Sequence, residues 1–550
     1  MNWRRWVPTA TGIATIFALG LSWGRFVLGP IPLDIKNLRW VWGDLSQVYV
    51  AWSQYGSDPH ADWLSSNLLS YPLPMSIALF DPMPLFLVVA GPFGGLVPDG
   101  AQFFGYYFVA CIALQGVFGY LAVLQLQRLT RIPLGPASHY LAVLGGLLIA
   151  CIPYTFIRFQ GHTALSSQWV LVLSIWVALA SLAWQRTSWL IANCAVVLLA
   201  TGVSPYLALM ILVSNGFLTV LAWRRLRSAE VALRLGAMAL VAGVGVWIFG
   251  FLGGGAGTRV DGYDVYSMNL LGPFDSNGVA RLLPINVPDA TGAQSFEGYV
   301  YLGAGVLVLL ALTVLGAINH RLKSTDFPFI PALAIVLTCT LIAVTPAVTL
   351  ATQSVQIPVP ELVTAPLSFL HGTGRFFWMA GFWLILLCVA TCILRFGIRW
   401  AAVVLTAVVV IQLVDISAIG MNTRAAFASM NAQRLRDVPA GDYSALLVYP
   451  AWQCDHGQTP GGIRNYEMTG YFATSHRIPT NSFYAARTPP GQSAYHCDYP
   501  KRLRSIDRRA VYLLSEPLFK EYGKRLNPSH RCVPMVGDED ALTCLPRLAR

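Results

Sequence analysis

The chain has 550 residues, 55% of them hydrophobic and 11% charged. Soluble domains carry about a quarter charged residues, so this composition excludes a soluble enzyme or binding module. The net charge of +11 comes from Lys and Arg scattered among short loops and one tail. That is the pattern of basic cytoplasmic loops in a membrane protein rather than of a nucleic-acid surface.

At the N-terminus, Arg4 and Arg5 precede an apolar run from Val7 to about Gly29 without a convincing small-x-small cleavage site. It reads as a retained first span rather than a signal peptide. Further spans of about 20 apolar residues are expected near 101–125, 138–157, 164–184, 188–204, 206–223, 231–252, 299–318, 329–350, 376–396 and 399–417, making eleven. The apolar stretch 73–97 is set apart by Pro74, Pro82, Pro84 and Pro92. Prolines at that density break a helix repeatedly, so it reads as a broken or re-entrant segment.

Basic residues orient the spans. With 73–97 not spanning and the N-terminus in the cytoplasm, Arg128, Arg131, Arg186, Arg224, Arg225, Arg227, Arg321, Lys323, Arg395 and Arg399 fall inside, as the positive-inside rule requires. Outer loops then cover 30–100, 253–298 and 351–375, and everything after 417 lies outside. The expected division is a polytopic membrane domain, 1–417, and a soluble tail domain, 418–550. In the tail, "SALLVYP" and "AVYLL" read as buried strands and "SEPLFKEYGKRL" as an amphipathic helix, giving a small α/β domain. The outer loop 253–298 reads as ordered but not helical, from its Gly, Pro, Asn and Asp content.

Six of the ten cysteines lie within spans; Cys454, Cys497, Cys532 and Cys544 all lie in the tail. An even number in one outer segment points to two disulfides. Three pairings exist; chain order favours 454–497 with 532–544, and zinc is the rival reading. No phosphate-binding loop occurs in the inner loops, so chemistry is expected on the outer face.

The polar residues at the outer ends of spans form a short set. "WVWGDLSQVYVAWSQY" supplies Asp44, "IRFQGHTALSSQW" supplies Arg158, His162 and Gln168, "LHGTGRFFW" supplies His371 and Arg375, and the broken segment supplies Asp81. Each has a structural alternative: Asp44 as a helix cap, Asp81 as a turn former, His162 and Gln168 as interhelical hydrogen bonders, and Arg375 snorkelling to headgroups. Together a carboxylate, an imidazole and guanidinium groups beside lipid suit one reaction class. That class is sugar transfer from a polyprenyl-phosphate donor, with a carboxylate as base and cations on the leaving phosphate.

The run "GDLSQ…YPLPMSIALFDPMPL…QFFGYYFVACIALQGVFGYL…RFQGHTALSSQW…GRFFW" resembles GT-C membrane glycosyltransferases, and more narrowly a bacterial family of uncharacterised GT-C-like membrane proteins. The resemblance implies a mostly α GT-C-like fold of about 11 transmembrane helices with a C-terminal periplasmic α/β domain, in a bacterial inner membrane. It implies that Asp44 is the superfamily's first-loop acid, acting as general base in an inverting transfer to an envelope glycan or lipid acceptor. The paired acids that several branches use are missing from the first loop, so no metal site or cofactor is assigned, with a divalent metal left as an alternative. Two other readings remain: a lipid-linked-sugar flippase or transporter, and a non-catalytic GT-C-like envelope assembly protein. No nucleic-acid partner is expected.

Overall fold

The computed structural model describes residues 7–80, 83–90, 100–184, 187–222, 228–254, 262–319, 327–365, 367–368, 370–432, 435, 438–439, 441–455, 466–535 and 538–547. The membrane region is built from helices α1 (Val7–Leu28), α2 (Asp44–Ser57), α3 (Pro84–Ala90), α4 (Phe104–Leu129), α5 (Pro136–Ala150), α6 (Pro153–Arg158) and α7 (Trp169–Trp184). It continues with α8 (Thr187–Val203), α9 (Pro205–Phe217), α10 (Ser228–Ile248), α11 (Ala304–Asn319), α12 (Phe329–Val344), α13 (Glu361–Thr364) and α14 (Phe377–Ser429). Among the described residues, α1, α4, α10 and α14 with its lead-in from Thr373 are long and apolar enough to cross a membrane. Shorter apolar helices, α5, α7, α8, α9, α11 and α12, stand at the other expected span positions. The structure thus shows a largely helical, multi-pass architecture.

Local sequence explains the helix boundaries. Pro136, Pro153 and Pro205 open their helices, where the missing N–H costs nothing. Gly397, at φ 70°, interrupts α14 where the sequence separates two spans. Gly20 and Gly24, four apart on α1, let that helix approach α4 closely: a β-carbon on Gly20 would stand 2.6 Å from Ala113 Cα. Small residues at this spacing are how helices pack where lipid removes the hydrophobic driving force. On the outward faces, Trp247 of α10 is 69% exposed and Leu341 of α12 is 73% exposed, as suits contact with hydrocarbon.

The described part of 73–97 contains no continuous helix. A two-residue ladder pairs β1 (Ser65–Ser66) with β2 (Met75–Ser76), a 3₁₀ turn covers Ile77–Phe80, and α3 follows. The "ADWLSSNLLSYP" stretch is a turn and half of that ladder. The loop 262–303 is ordered without being helical, apart from a 3₁₀ turn at Gly272–Phe274. Its anchor is Asp415, fully buried on α14. That carboxylate accepts the backbone N–H groups of Leu282, Leu283 and Ala304 and the Tyr301 hydroxyl at 2.7–3.1 Å.

The hairpin β3 (Ala347–Leu350) with β4 (Gln353–Gln356) follows α12. Helix α14 continues to Ser429, well past the expected boundary at 417, because "MNTRAAFAS" remains helix-forming after its hydropathy falls. The tail then folds around strands β5 (Leu446–Tyr449), β6 (Val511–Ser515), β7 (His530–Met535) and β8 (Asp538–Pro546) in the order β5-β6-β8-β7. The β5/β6 pair is parallel and the others antiparallel. Helices α15 (Trp452–Asp455), α16 (Tyr466–His476), α17 (Pro490–His496), α18 (Tyr499–Arg502) and α19 (Glu516–Leu526) complete it. Both expected strands and the expected helix are present. The disulfides are Cys454–Cys497 and Cys532–Cys544, the pairing that chain order favours.

The tail docks on the segment between α1 and α4. A β-carbon on Gly470 would stand 2.8 Å from Val50, so α16 crosses α2 closely. Backbone bonds join Tyr71 to Thr480, Thr480 to Leu68 and Ala486 to Leu79 at 2.8–3.0 Å. This docking brings the tail to the N-terminus of α2.

Candidate active site

Helix α2 starts at Asp44, with Gly43 at its cap position and no side-chain capping bond. The cap position thus falls to Gly43 rather than to Asp44: the chain turns into the helix through Gly43 at φ 59°, a left-handed conformation that costs glycine little. The Gly43 N–H donates to Glu467 of α16 at 2.7 Å. Asp44, in the first turn, feels the positive end of the helix dipole, and its side chain is 30% exposed.

His162 lies just beyond α6, its backbone N–H bonded to the Arg158 carbonyl at 2.9 Å. Its Nε2 is 3.7 Å from Asp44 Oδ2 and 3.1 Å from Glu297 Oε1. Glu297, on the 262–303 loop, was not singled out by the sequence, yet it is the centre of the cluster. Its Oε2 meets Arg158 Nη1 at 3.0 Å, Arg375 Nη2 at 2.8 Å and the Arg375 Nε–H at 2.9 Å. Arg158, with no exposed side-chain surface, also donates to the carbonyls of Phe296 and Glu297. The guanidinium of Arg158 lies 5.0 Å from the Phe296 ring, and that of Arg375 lies 5.0 Å from the Tyr206 ring.

Burial alone raises the Glu297 carboxyl, but Arg158, Arg375 and the His162 hydrogen bond outweigh it and hold the group well below the usual carboxylate range. Burial lowers the Arg158 guanidinium, with Glu297 acting against that. Glu297 is thus an anion held by two buried cations, and His162 stands between it and Asp44.

Four expected residues, Asp44, Arg158, His162 and Arg375, therefore converge through Glu297. The two arginines direct their donors at this carboxylate, so the expected pair of phosphate-clamping guanidinium groups is already engaged. His371 stands one contact away: its backbone N–H donates to the Tyr206 hydroxyl at 2.5 Å and its ring lies 4.5 Å from Tyr266. Gln168 is fully buried and accepts from the Thr155 hydroxyl at 2.7 Å, which is helix packing rather than a site contact. Asp81 lies outside the described residues. Among the described residues no three His, Cys, Asp or Glu side chains are grouped to hold a metal. The signal that could have found Glu297 is charge balance: two arginines at the edge of an apolar region require a nearby anion.

The fold and this cluster define a multi-pass membrane-type protein with a polar site where the segment after α1, the 262–303 loop, the lead-in to α14 and the tail domain meet. The family model described as a domain of unknown function, DUF6311, matches residues 17–417, and the DUF6311 C-terminal domain matches residues 435–544. The chain belongs to the DUF6311 family. A comparison with curated proteins finds no match. The cryo-EM structure of the arabinofuranosyltransferase AftD from Mycobacteria is similar at a TM-score of 0.45 and 14% identity. That alignment covers 93% of this chain and 35% of the AftD chain, so this chain spans about a third of that neighbour's length.

Proposed function

We propose that this protein is a GT-C-type membrane glycosyltransferase. It transfers a sugar from a polyprenyl-phosphate donor to a hydroxyl of an envelope glycan or lipid, on the outer face of a bacterial inner membrane. The observation that carries this reading is the convergence of Asp44, His162, Arg158 and Arg375 on one site, although the chain contributes them from three separate segments.

In the proposed step, Asp44 takes the proton of the acceptor hydroxyl as that oxygen attacks the anomeric carbon of the donor sugar. The bond from this carbon to the phosphate oxygen breaks, and polyprenyl phosphate leaves with the electron pair, inverting the configuration. Asp44 is the exposed member of the cluster and so the one placed to meet substrate. His162, with its Nε2 3.7 Å from Asp44 Oδ2, positions that carboxylate. Arg158 and Arg375 are positioning residues: they keep Glu297 ionised, and Glu297 orients the imidazole.

The test is Asp44→Asn in purified protein reconstituted with a labelled polyprenyl-phosphate sugar and envelope acceptor. Removing a general base costs about 10²–10⁴-fold in rate, so transfer should fall by at least a hundredfold while the melting profile is retained. Transfer at the wild-type rate would remove Asp44 from the chemistry.

A further inference from the structure

Three aromatic residues of the tail domain stand beside this site. Trp452 and Tyr466 have ring centroids 4.9 Å apart, Tyr466 and Tyr484 are also 4.9 Å apart, and Trp452 and Tyr484 are 6.0 Å apart. All three are half-buried. None of them is part of the apolar clusters that the described residues form in the membrane region or on the two faces of the tail sheet.

Their position is set from both sides. Tyr466 opens α16, and the next residue, Glu467, holds the Gly43 N–H at 2.7 Å, so the ring group begins one residue from the start of α2. Burial raises the Tyr466 phenol, and the Asp44 carboxylate pushes it further. On the other side of Asp44 lies Phe296, 40% exposed. A β-carbon on Gly161 would stand 3.5 Å from Asp44 Oδ2 and 4.0 Å from the Phe296 ring.

The platform is also rigid. The Trp452 backbone N–H donates to the Ser482 hydroxyl at 3.0 Å, and Gln453 bridges the Asn481 carbonyl and the Phe483 N–H at 2.8 and 3.3 Å. Two residues after Trp452, Cys454 is tied to Cys497. Aromatic side chains that are fixed before binding lose little entropy when they engage a ligand.

We propose that Trp452, Tyr466 and Tyr484 form the acceptor-saccharide platform of this site, so that the tail domain seats a neutral glycan and presents its hydroxyl to Asp44. This rests on the glycosyltransferase reading above. Flat aromatic faces suit the C–H face of a pyranose or furanose ring. The carboxylates of Asp44 and Glu467 at the platform's edge repel uronic, sulfated or phosphorylated sugars.

The experiment uses the full-length protein in detergent and, as probe, the neutral oligosaccharides released from the source bacterium's own envelope. Binding is read by saturation-transfer NMR and by tryptophan fluorescence. Wild type should retain a component of the pool. Trp452→Ala and Tyr484→Ala should each weaken it about tenfold or more, as for aromatic hot spots, and Trp452→Phe should keep most of it. Melting curves and intact disulfides establish that the variants fold, with Trp452→Phe as the second arm. An empty wild type, or alanine variants that bind as wild type does, would overturn the proposal. The two readings separate in kinetics. If Asp44→Asn abolishes transfer while the alanine variants leave the acceptor KM unchanged, the platform falls and the transferase stands. If the alanine variants lose the glycan while Asp44→Asn transfers normally, the platform stands and Asp44's role falls.

Discussion

Replacing Glu297 by Gln removes the anion that two buried arginines share. At 2.8–3.0 Å, each pair is worth about 5–6 kcal/mol of gross Coulomb attraction at an effective dielectric of about 20. Desolvation offsets much of this, at several kcal/mol per ion. Deleting only the anion leaves both cations buried and unbalanced, and such losses run to about 3–5 kcal/mol. Unfolding in detergent micelles followed by tryptophan fluorescence should therefore show Glu297→Gln destabilised by about 3 kcal/mol or more. Removing the whole triad together (Glu297→Leu with Arg158→Met and Arg375→Met) should cost less than Glu297→Gln alone, because no charge is left stranded. The acid limb gives a second readout. The folded carboxyl lies below its ordinary value of 4.5, so its stabilisation is complete above that pH and is lost as the pH falls toward the folded value. Glu297→Gln should lack that acid-dependent component. A variant within about 1 kcal/mol of wild type, or a triple variant no better than the single one, would refute the idea that this ion triad holds the site together.

Two further predictions concern the tail. His496 is buried with its Nε2 2.8 Å from the Ser70 hydroxyl, and burial lowers its imidazole from 6.5 to about 4. The unfolded chain binds this proton first as the pH falls, so stability is complete above 6.5 and is lost between 6.5 and about 4. The loss should reach about 2 kcal/mol at pH 5, read as earlier proteolytic release of the tail from the 66–74 segment. A His496→Gln variant with the same pH profile would discount it. For the disulfides, loop-closure entropy makes the Cys454–Cys497 bridge, with a separation of 43, worth about 4 kcal/mol and Cys532–Cys544, with a separation of 12, about 3. Cys454→Ser with Cys497→Ser should therefore melt below the other double variant; the reverse order would show that chain entropy does not rank them.

Much of this molecule is local and so legible along the chain. A run of apolar residues closes its own backbone hydrogen bonds as a helix wherever it lies, which is why helices stand at the expected span positions. The same locality made β5, β6 and α19 readable, each carrying its own periodicity. The disulfides followed from four cysteines confined to one segment. Asp44, His162 and Arg375 were visible as rare polar residues at apolar edges, where each charge needs a reason. Hydropathy marks where lipid contact would end, near 417, whereas α14 runs on until helix propensity fails, at Ser429. Glu297 belongs to the other category. It is one of several acids in a loop rich in glycine and proline, and it gains its importance only when Arg158, His162 and Arg375 arrive from separate segments to surround it. The same holds for Tyr466, which meets α2 because Gly470 lets two helices cross closely. Such a site depends on the summed field and packing of groups distant in sequence. No window along the chain contains that sum, and only the tertiary fold assembles it.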